Sequence, residues 1–133
     1  MKLGTRRRTY LREAMVMLVL ARLAVRFVPP QQLFAWADRP PRRLRRFAAD
    51  EASWVAWAVE TLGGRTNALC LPRALAAHVM LRRRGIASRL CLGVARKDET
   101  IAAHAWVEVG GDKFAGETEA DQYTRIAAYG SVA

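Results

Sequence analysis

The sequence predicts an α+β fold: a helical N-terminal half, then one helix packed on a small antiparallel sheet. Two observations carry this. Apolar residues recur at helical spacing up to Gly85 and alternate afterwards. Breakers also divide the chain at Pro29-Pro30, Asp38-Arg39-Pro40-Pro41, Gly63-Gly64, Gly85 and Gly110-Gly111. With 133 residues, 52% hydrophobic and 26% charged, the chain has the length and apolar content for one folded domain over residues 1–133, divided into a helical part, 1–64, and a second part, 65–133.

In chain order, Lys2 to Arg12 reads as a basic arm and Tyr10 to Val28 as a strongly apolar helix. Uninterrupted apolar sequence runs only from Ala14 to Ala21, well short of the roughly 20 residues a membrane span needs. Arg8, Arg12, Arg22 and Arg26 fall on one side, so the expectation is a mostly buried helix with one basic stripe, suited to core packing, a partner or a membrane surface. Pro29-Pro30 ends it. Gln31 to Ala37 makes one or two helical turns. A third helix runs from Arg42 to Leu62 with Trp54, Val55, Ala58, Val59 and Leu62 on its buried face, and Gly63-Gly64-Arg65-Thr66 turns into the next helix.

That next helix spans Asn67 to Leu81, with Pro72 in its first turn, where a missing N–H is harmless, and Gly85 as its left-handed terminator. Arg89 to Ala95 is a strand, Arg96 to Thr100 a polar loop, Ile101 to Val109 a second strand, and Asp112 to Glu117 the strand returning from a Gly110-Gly111 hairpin. His104, Trp106 and Glu108 share one face of the second strand; Ala103, Ala105, Val107 and Val109 share the other.

The net charge of +10 suggests acidic partners, yet only Lys2, Lys97 and Lys113 of the 22 basic residues are lysine. Aromatic residues do not interleave with the arginine runs, so no nucleic-acid binding is expected. Cys70 and Cys91 form no CxxC pair or Cys/His cluster, and no glycine-rich phosphate loop occurs, so neither metal nor cofactor is expected. Arg7-Arg8-Thr9-Tyr10-Leu11-Arg12 has the outline of a twin-arginine export signal. No small-residue cleavage site follows it, and reduced thiols in the cytoplasm are expected.

Cys70, at a helix N-terminus, has free backbone N–H groups and the positive end of the helix dipole beside it, which favour thiolate and offer donors to an oxyanion. Taken alone, a cysteine among leucines and alanines is more often a small core residue than a nucleophile. A nucleophile needs a base. His78 lies eight residues along the same helix, about 12 Å away, and is read as structural; His104 is the candidate base. A two-residue turn at Gly110-Gly111 pairs Val109 with Asp112, Glu108 with Lys113, Val107 with Phe114 and His104 with Glu117. Glu117 is then the acid able to orient the imidazole; a longer turn substitutes Glu119, and Asp112 falls on the wrong face. Asn67 is either an oxyanion donor or a cap residue.

Cys70-Leu71-Pro72-Arg73-Ala74-Leu75, Leu81-Arg82-Arg83-Arg84-Gly85, Leu92-Gly93-Val94 and His104-Ala105-Trp106-Val107-Glu108 together resemble the leader peptidases of lasso-peptide biosynthesis, cysteine proteases of transglutaminase-like type. The resemblance covers about residues 65 to 125. It implies a papain/transglutaminase-like catalytic core over 65–133 with a Cys70–His104–acid site that cuts the leader from a ribosomally made precursor. The family's acid is usually aspartate, where this chain has Glu117. It further implies the split form of the enzyme, working with a separate leader-recognition protein and an ATP-dependent cyclase. Two other readings remain: acyl transfer to an amine by the same triad, and a non-catalytic basic adaptor.

Overall fold

Pro29, with φ −57° and ψ 139°, and Pro30 at the first position of the following helix separate two helices. In the computed structural model, which describes residues 3–39, 49–65, 70–110, 112–114 and 123–130, the first helix, α1, spans Leu3–Phe27 and the second, α2, Pro30–Ala37. The segment expected to be a basic arm is therefore helical. Arginine is a good helix former and no Gly or Pro interrupts Thr5 to Val28, so the helix starts seven residues early.

The burial of α1 also differs from expectation. Tyr10, Ala14, Leu18 and Ala21 are buried against the rest of the core, whereas Met15, Val16, Val19, Leu20, Leu23 and Phe27 are exposed. The helix packs on α3 and α4 through one stripe flanked by half-buried Leu11, Met17, Ala24 and Val25, and the six exposed residues stand outside the core cluster.

Helix α3 spans Ala49–Arg65, with Asp50 and Glu51 in its first turn, where acids complement the helix dipole. Residues 40–48, including the start expected at Arg42, lie outside the described residues. Gly63 and Gly64 continue this helix instead of turning out of it. The reason is tertiary: Arg73 of the next helix lies on Gly63, where a Cβ would come within 2.7 Å of its Nε, and donates from Nη2 to the Gly63 carbonyl at 3.0 Å.

Helix α4 spans Cys70–Arg83. It ends in a Schellman motif: Gly85, at φ 72°, donates its N–H to Arg82 O at 2.9 Å, and Ile86 donates to Leu81 O at 3.0 Å. Strands β1 (Arg89–Lys97), β2 (Thr100–Val109), β3 (Asp112–Phe114) and β4 (Thr124–Tyr129) form one antiparallel sheet in the order β3-β2-β1-β4. The polar loop expected between the first two strands shrinks to a two-residue turn with Asp98 at φ 55°, a left-handed conformation that aspartate tolerates. The β2–β3 register is Val109↔Asp112, Glu108↔Lys113 and Val107↔Phe114, as a two-residue turn requires. The remainder of the strand expected to reach Glu117, from Ala115 on, lies outside the described residues. Strand β4 has no counterpart in the sequence pattern.

Ala105, Val107, Val109 and Leu90 join Ala74, Leu75, Met80 and Leu81 of α4 and the buried stripes of α1 and α3 in one core cluster. At its edge, the imidazole of His78, 1% exposed, joins three elements. Its Nε2 lies 2.8 Å from Ala37 O and its Nδ1 2.7 Å from Ser88 Oγ. A carbonyl only accepts, so Nε2 carries the proton and Nδ1 accepts from the serine hydroxyl. Nearby, Gly130 N donates to Asp38 Oδ1 at 2.9 Å, and Phe34 stacks on Tyr129 at 4.8 Å.

Burial lowers the His78 pKa to about 4, outweighing the bond to Ala37, which raises it, while Arg82 lowers it further. The unfolded chain takes up a proton at the ordinary histidine pKa near 6.5 that the folded chain refuses until about pH 4. Stability is therefore full above pH 6.5 and is lost as pH falls toward 4, by an amount on the order of 3 kcal/mol. Denaturant midpoints measured across that range should fall in the wild type and change much less in a His78→Gln variant; equal slopes would remove His78 as the cause.

Candidate active site

Cys70 sits at a helix start, as the first residue of α4, whose described first turn carries no acid to oppose the helix dipole. The thiol is half-buried and packs against the edge of the core cluster. Buried Pro72 follows in the same turn. The second thiol contrasts with it. Cys91 in β1 is fully buried, its Sγ facing Arg89 O at 3.9 Å, and its pKa is pushed up to about 11, first by burial and then by the negative charge of Glu108. A thiol so placed stays protonated and inert.

His104 lies in the first half of β2, directly across from Gly93 of β1. Strand alternation gives the two faces expected: α4 packs over Ala105, Val107 and Val109, and His104 shares its face with Trp106 and Glu108. The imidazole is half-buried, 5.0 Å from the Tyr123 ring and 6.1 Å from the Trp106 ring. Cys70 and His104 are carried by two packed elements, with His104 on the face of β2 opposite the one α4 covers, and the described ring contacts of the imidazole are with Trp106 and Tyr123.

Trp106 is fixed from both ends. Its Nε1 donates to Glu108 Oε2 at 3.0 Å, while Arg125 Nη1 of β4 lies 3.4 Å from Glu108 Oε1. The Glu108 carboxylate, expected opposite Lys113, has these two as its described partners. Across the sheet the indole occupies the space over Gly93, where a Cβ would come within 2.7 Å of Trp106 Cη2 and 2.9 Å of Thr124 O. Glycine at this position is what permits the close approach, and the result is a rigid aromatic bed beside His104, with Cys91, Trp106 and Tyr123 packed as a small cluster of their own.

Tyr123, Arg125 and the role of Gly93 escape the sequence pattern. A glycine in the middle of an alternating strand was the available signal for the last. Tyr123 and Arg125 had none, because they arrive with β4. Asn67, Glu117 and Glu119 lie outside the described residues. Asp112 pairs with Val109, the position that had set it aside. His78, bonded at both nitrogens, is structural. No described helix is long and apolar enough to cross a membrane.

Residues 14–128 match the family model described as the transglutaminase-like superfamily. No curated protein and no solved structure gives a significant match. The superfamily is typically enzymatic, comprising cysteine proteases and acyl-transfer enzymes, and an α+β core with a cysteine-bearing helix on an antiparallel sheet agrees with it. With the match taking in most of the chain, from the middle of α1 to β4, the protein belongs to the transglutaminase-like superfamily.

Proposed function

We propose that the protein is a cysteine peptidase that removes the leader from a ribosomally made lasso-peptide precursor. The observation that carries the proposal is the position of Cys70 as the first residue of α4 in a chain of this superfamily. The sequence resemblance around Cys70 and His104 supports the choice of substrate.

In this reading the Cys70 thiol gives its proton to His104, and the thiolate attacks the carbonyl of the last leader residue. Backbone N–H groups at the start of α4, with Asn67 as a further donor, hold the oxyanion. The tetrahedral intermediate collapses, His104 protonates the departing amine of the core peptide, and an acyl-enzyme remains. Water deprotonated by His104 then attacks the thioester, releasing the leader with a free carboxylate and restoring the thiol. Glu117 orients the imidazole. The bed of Trp106 and Tyr123 limits how far that ring turns. The reaction is assigned to the cytoplasm, where thiols are reduced. The resemblance extends the proposal to partners: a separate protein holds the leader, and a cyclase uses the freed amine.

Four measurements test this. Iodoacetamide should label Cys70 faster than Cys91; equal slow labelling would sink the nucleophile assignment. Glu117→Gln should fold and lose about a hundredfold or more in kcat/KM, whereas Asp112→Asn should stay near wild type; full activity in Glu117→Gln moves the role elsewhere. Mass analysis of precursor digests should show a leader ending in a carboxylate, where acyl transfer would show an amide. Alone, the enzyme should cut its precursor slowly. The recognition protein should accelerate it, and salt should weaken that acceleration; fast, salt-insensitive cleavage by the isolated chain would rule the partner out.

A further inference from the structure

At 3.6 residues per turn, the exposed side chains Met15, Val16, Val19, Leu20, Leu23 and Phe27 of α1 fall within an arc of about 140° and run for about 18 Å along the helix. Leu20 is 52% and Phe27 72% exposed. On one side the ridge continues into a hollow of about 400 Å³ between α1, α2 and α4, lined by Leu20, Ala24, Val28, Leu33, Trp36 and Val79. Arg22 and Arg26 run along its opposite edge, and Arg8 and Arg12 continue the line of the ridge toward the N-terminus, all four exposed. Arg82 lies over Trp36 at 5.0 Å beyond the hollow. The only acid in α1 is Glu13, which is turned inward to Arg83 and Arg84. A continuous apolar surface thus carries guanidinium groups on both sides and no carboxylate from its own helix.

We propose that this face docks on an anionic lipid bilayer, with α1 lying in the plane of the interface. The choice of occupant follows from charge and shape. A second copy of the chain would bring rows of arginines together across the contact. A bilayer supplies phosphates wherever the guanidinium groups fall, without any register, and a convex aliphatic ridge sinks into acyl chains without needing a matching groove. Aromatic Phe27 and Trp36 stand at the end of the ridge and at the rim of the hollow. The arginines reach outward past the apolar side chains, as long basic side chains do at such interfaces. The apolar area gives the depth of insertion and the arginines give the preference for anionic lipid.

The test is co-sedimentation of the purified chain with vesicles of phosphatidylcholine alone and of phosphatidylcholine with about 30% phosphatidylglycerol. Binding to the anionic vesicles should be about tenfold stronger or more and should weaken as salt is raised. Leu20→Glu with Leu23→Glu should lower it by about tenfold. The same charge change on the sheet, Ile101→Glu with Ile126→Glu, both at exposed positions, should leave it within about twofold of wild type. Near-ultraviolet circular dichroism confirms that both double variants fold. Equal loss in the two variants would reduce the effect to adsorption of a cationic protein and overturn the proposal. Absence of vesicle binding would overturn it too, as expected if the face takes a protein partner. So would a dimer, formed without vesicles, that Leu20→Glu with Leu23→Glu dissolves.

Discussion

A single uncharged imidazole joins the two halves of this molecule. His78 sits in the middle of α4, and its two ring nitrogens are bonded to the last residue of α2 and to the serine before β1. In the neutral ring Nε2 donates to the carbonyl, so Nδ1 accepts from the serine hydroxyl, which fixes one tautomer. A protonated ring would carry a charge in a site with almost no solvent, which is why burial dominates its low pKa. The same corner is closed by Gly130, whose φ of 127° and contact with Ser88 O, 2.2 Å from where a Cβ would stand, leave no room for a side chain. The helical half and the sheet are therefore positioned by polar groups that have no alternative partners, in addition to the shared apolar core.

This constraint has a consequence for α4. Its C-terminal half is held by His78, by the Schellman motif at Gly85 and by the Glu13 ion pairs with Arg83 and Arg84. Its first turn is held by Arg73, which reaches back to Gly63 O and to Glu60 at 3.7 Å. A helix fixed at both ends holds its N-terminal residue, the half-buried Cys70, at a set place. Cys91, in the sheet, has the opposite surroundings: no helix dipole, no solvent and an adjacent carboxylate.

What was legible in the sequence was local. Pro72 and Gly85 mark the ends of α4 because each residue has a backbone preference that survives any tertiary context. Gly110-Gly111 fixed the β2–β3 register for the same reason, and with it the faces of β2. Apart from the basic segment that is helical and the loop that is a tight turn, the failures were tertiary. Gly63 and Gly64 read as a turn, yet a glycine is also the residue an arginine packs on. Thr124–Tyr129 pairs with β1 through a register shift between Leu92 and Gly93, and its exposed, non-alternating residues give no period-2 signal. Periodicity marked α1 as apolar without telling which of its apolar residues find a neighbour; about half of them do not. At the site, Cys70 and His104 were visible through their residue types and spacing, whereas Tyr123 and Arg125 come from a strand the pattern did not announce.

The arginines show why net charge alone is a poor guide to partners here. Arg84 lies over Tyr10 at 4.6 Å and is paired with Glu13; Arg7 lies over Trp57 at 5.5 Å; Arg73 holds the start of α4; and Arg125 braces Glu108 beneath Trp106. Guanidinium is planar and weakly hydrated, so it packs on rings and caps carbonyls at modest cost, tasks for which lysine is less suited. Nineteen arginines against three lysines is thus partly a structural composition. Among the described residues of the N-terminal half, exposed positive charge is concentrated along α1, at Arg8, Arg12, Arg22 and Arg26. Its range in solution is about a Debye length, 8 to 10 Å at ordinary salt, so it orients the molecule toward a negative surface while contributing little specificity. A diffuse field of this kind attracts every acidic partner alike, so by itself it selects no one substrate bond.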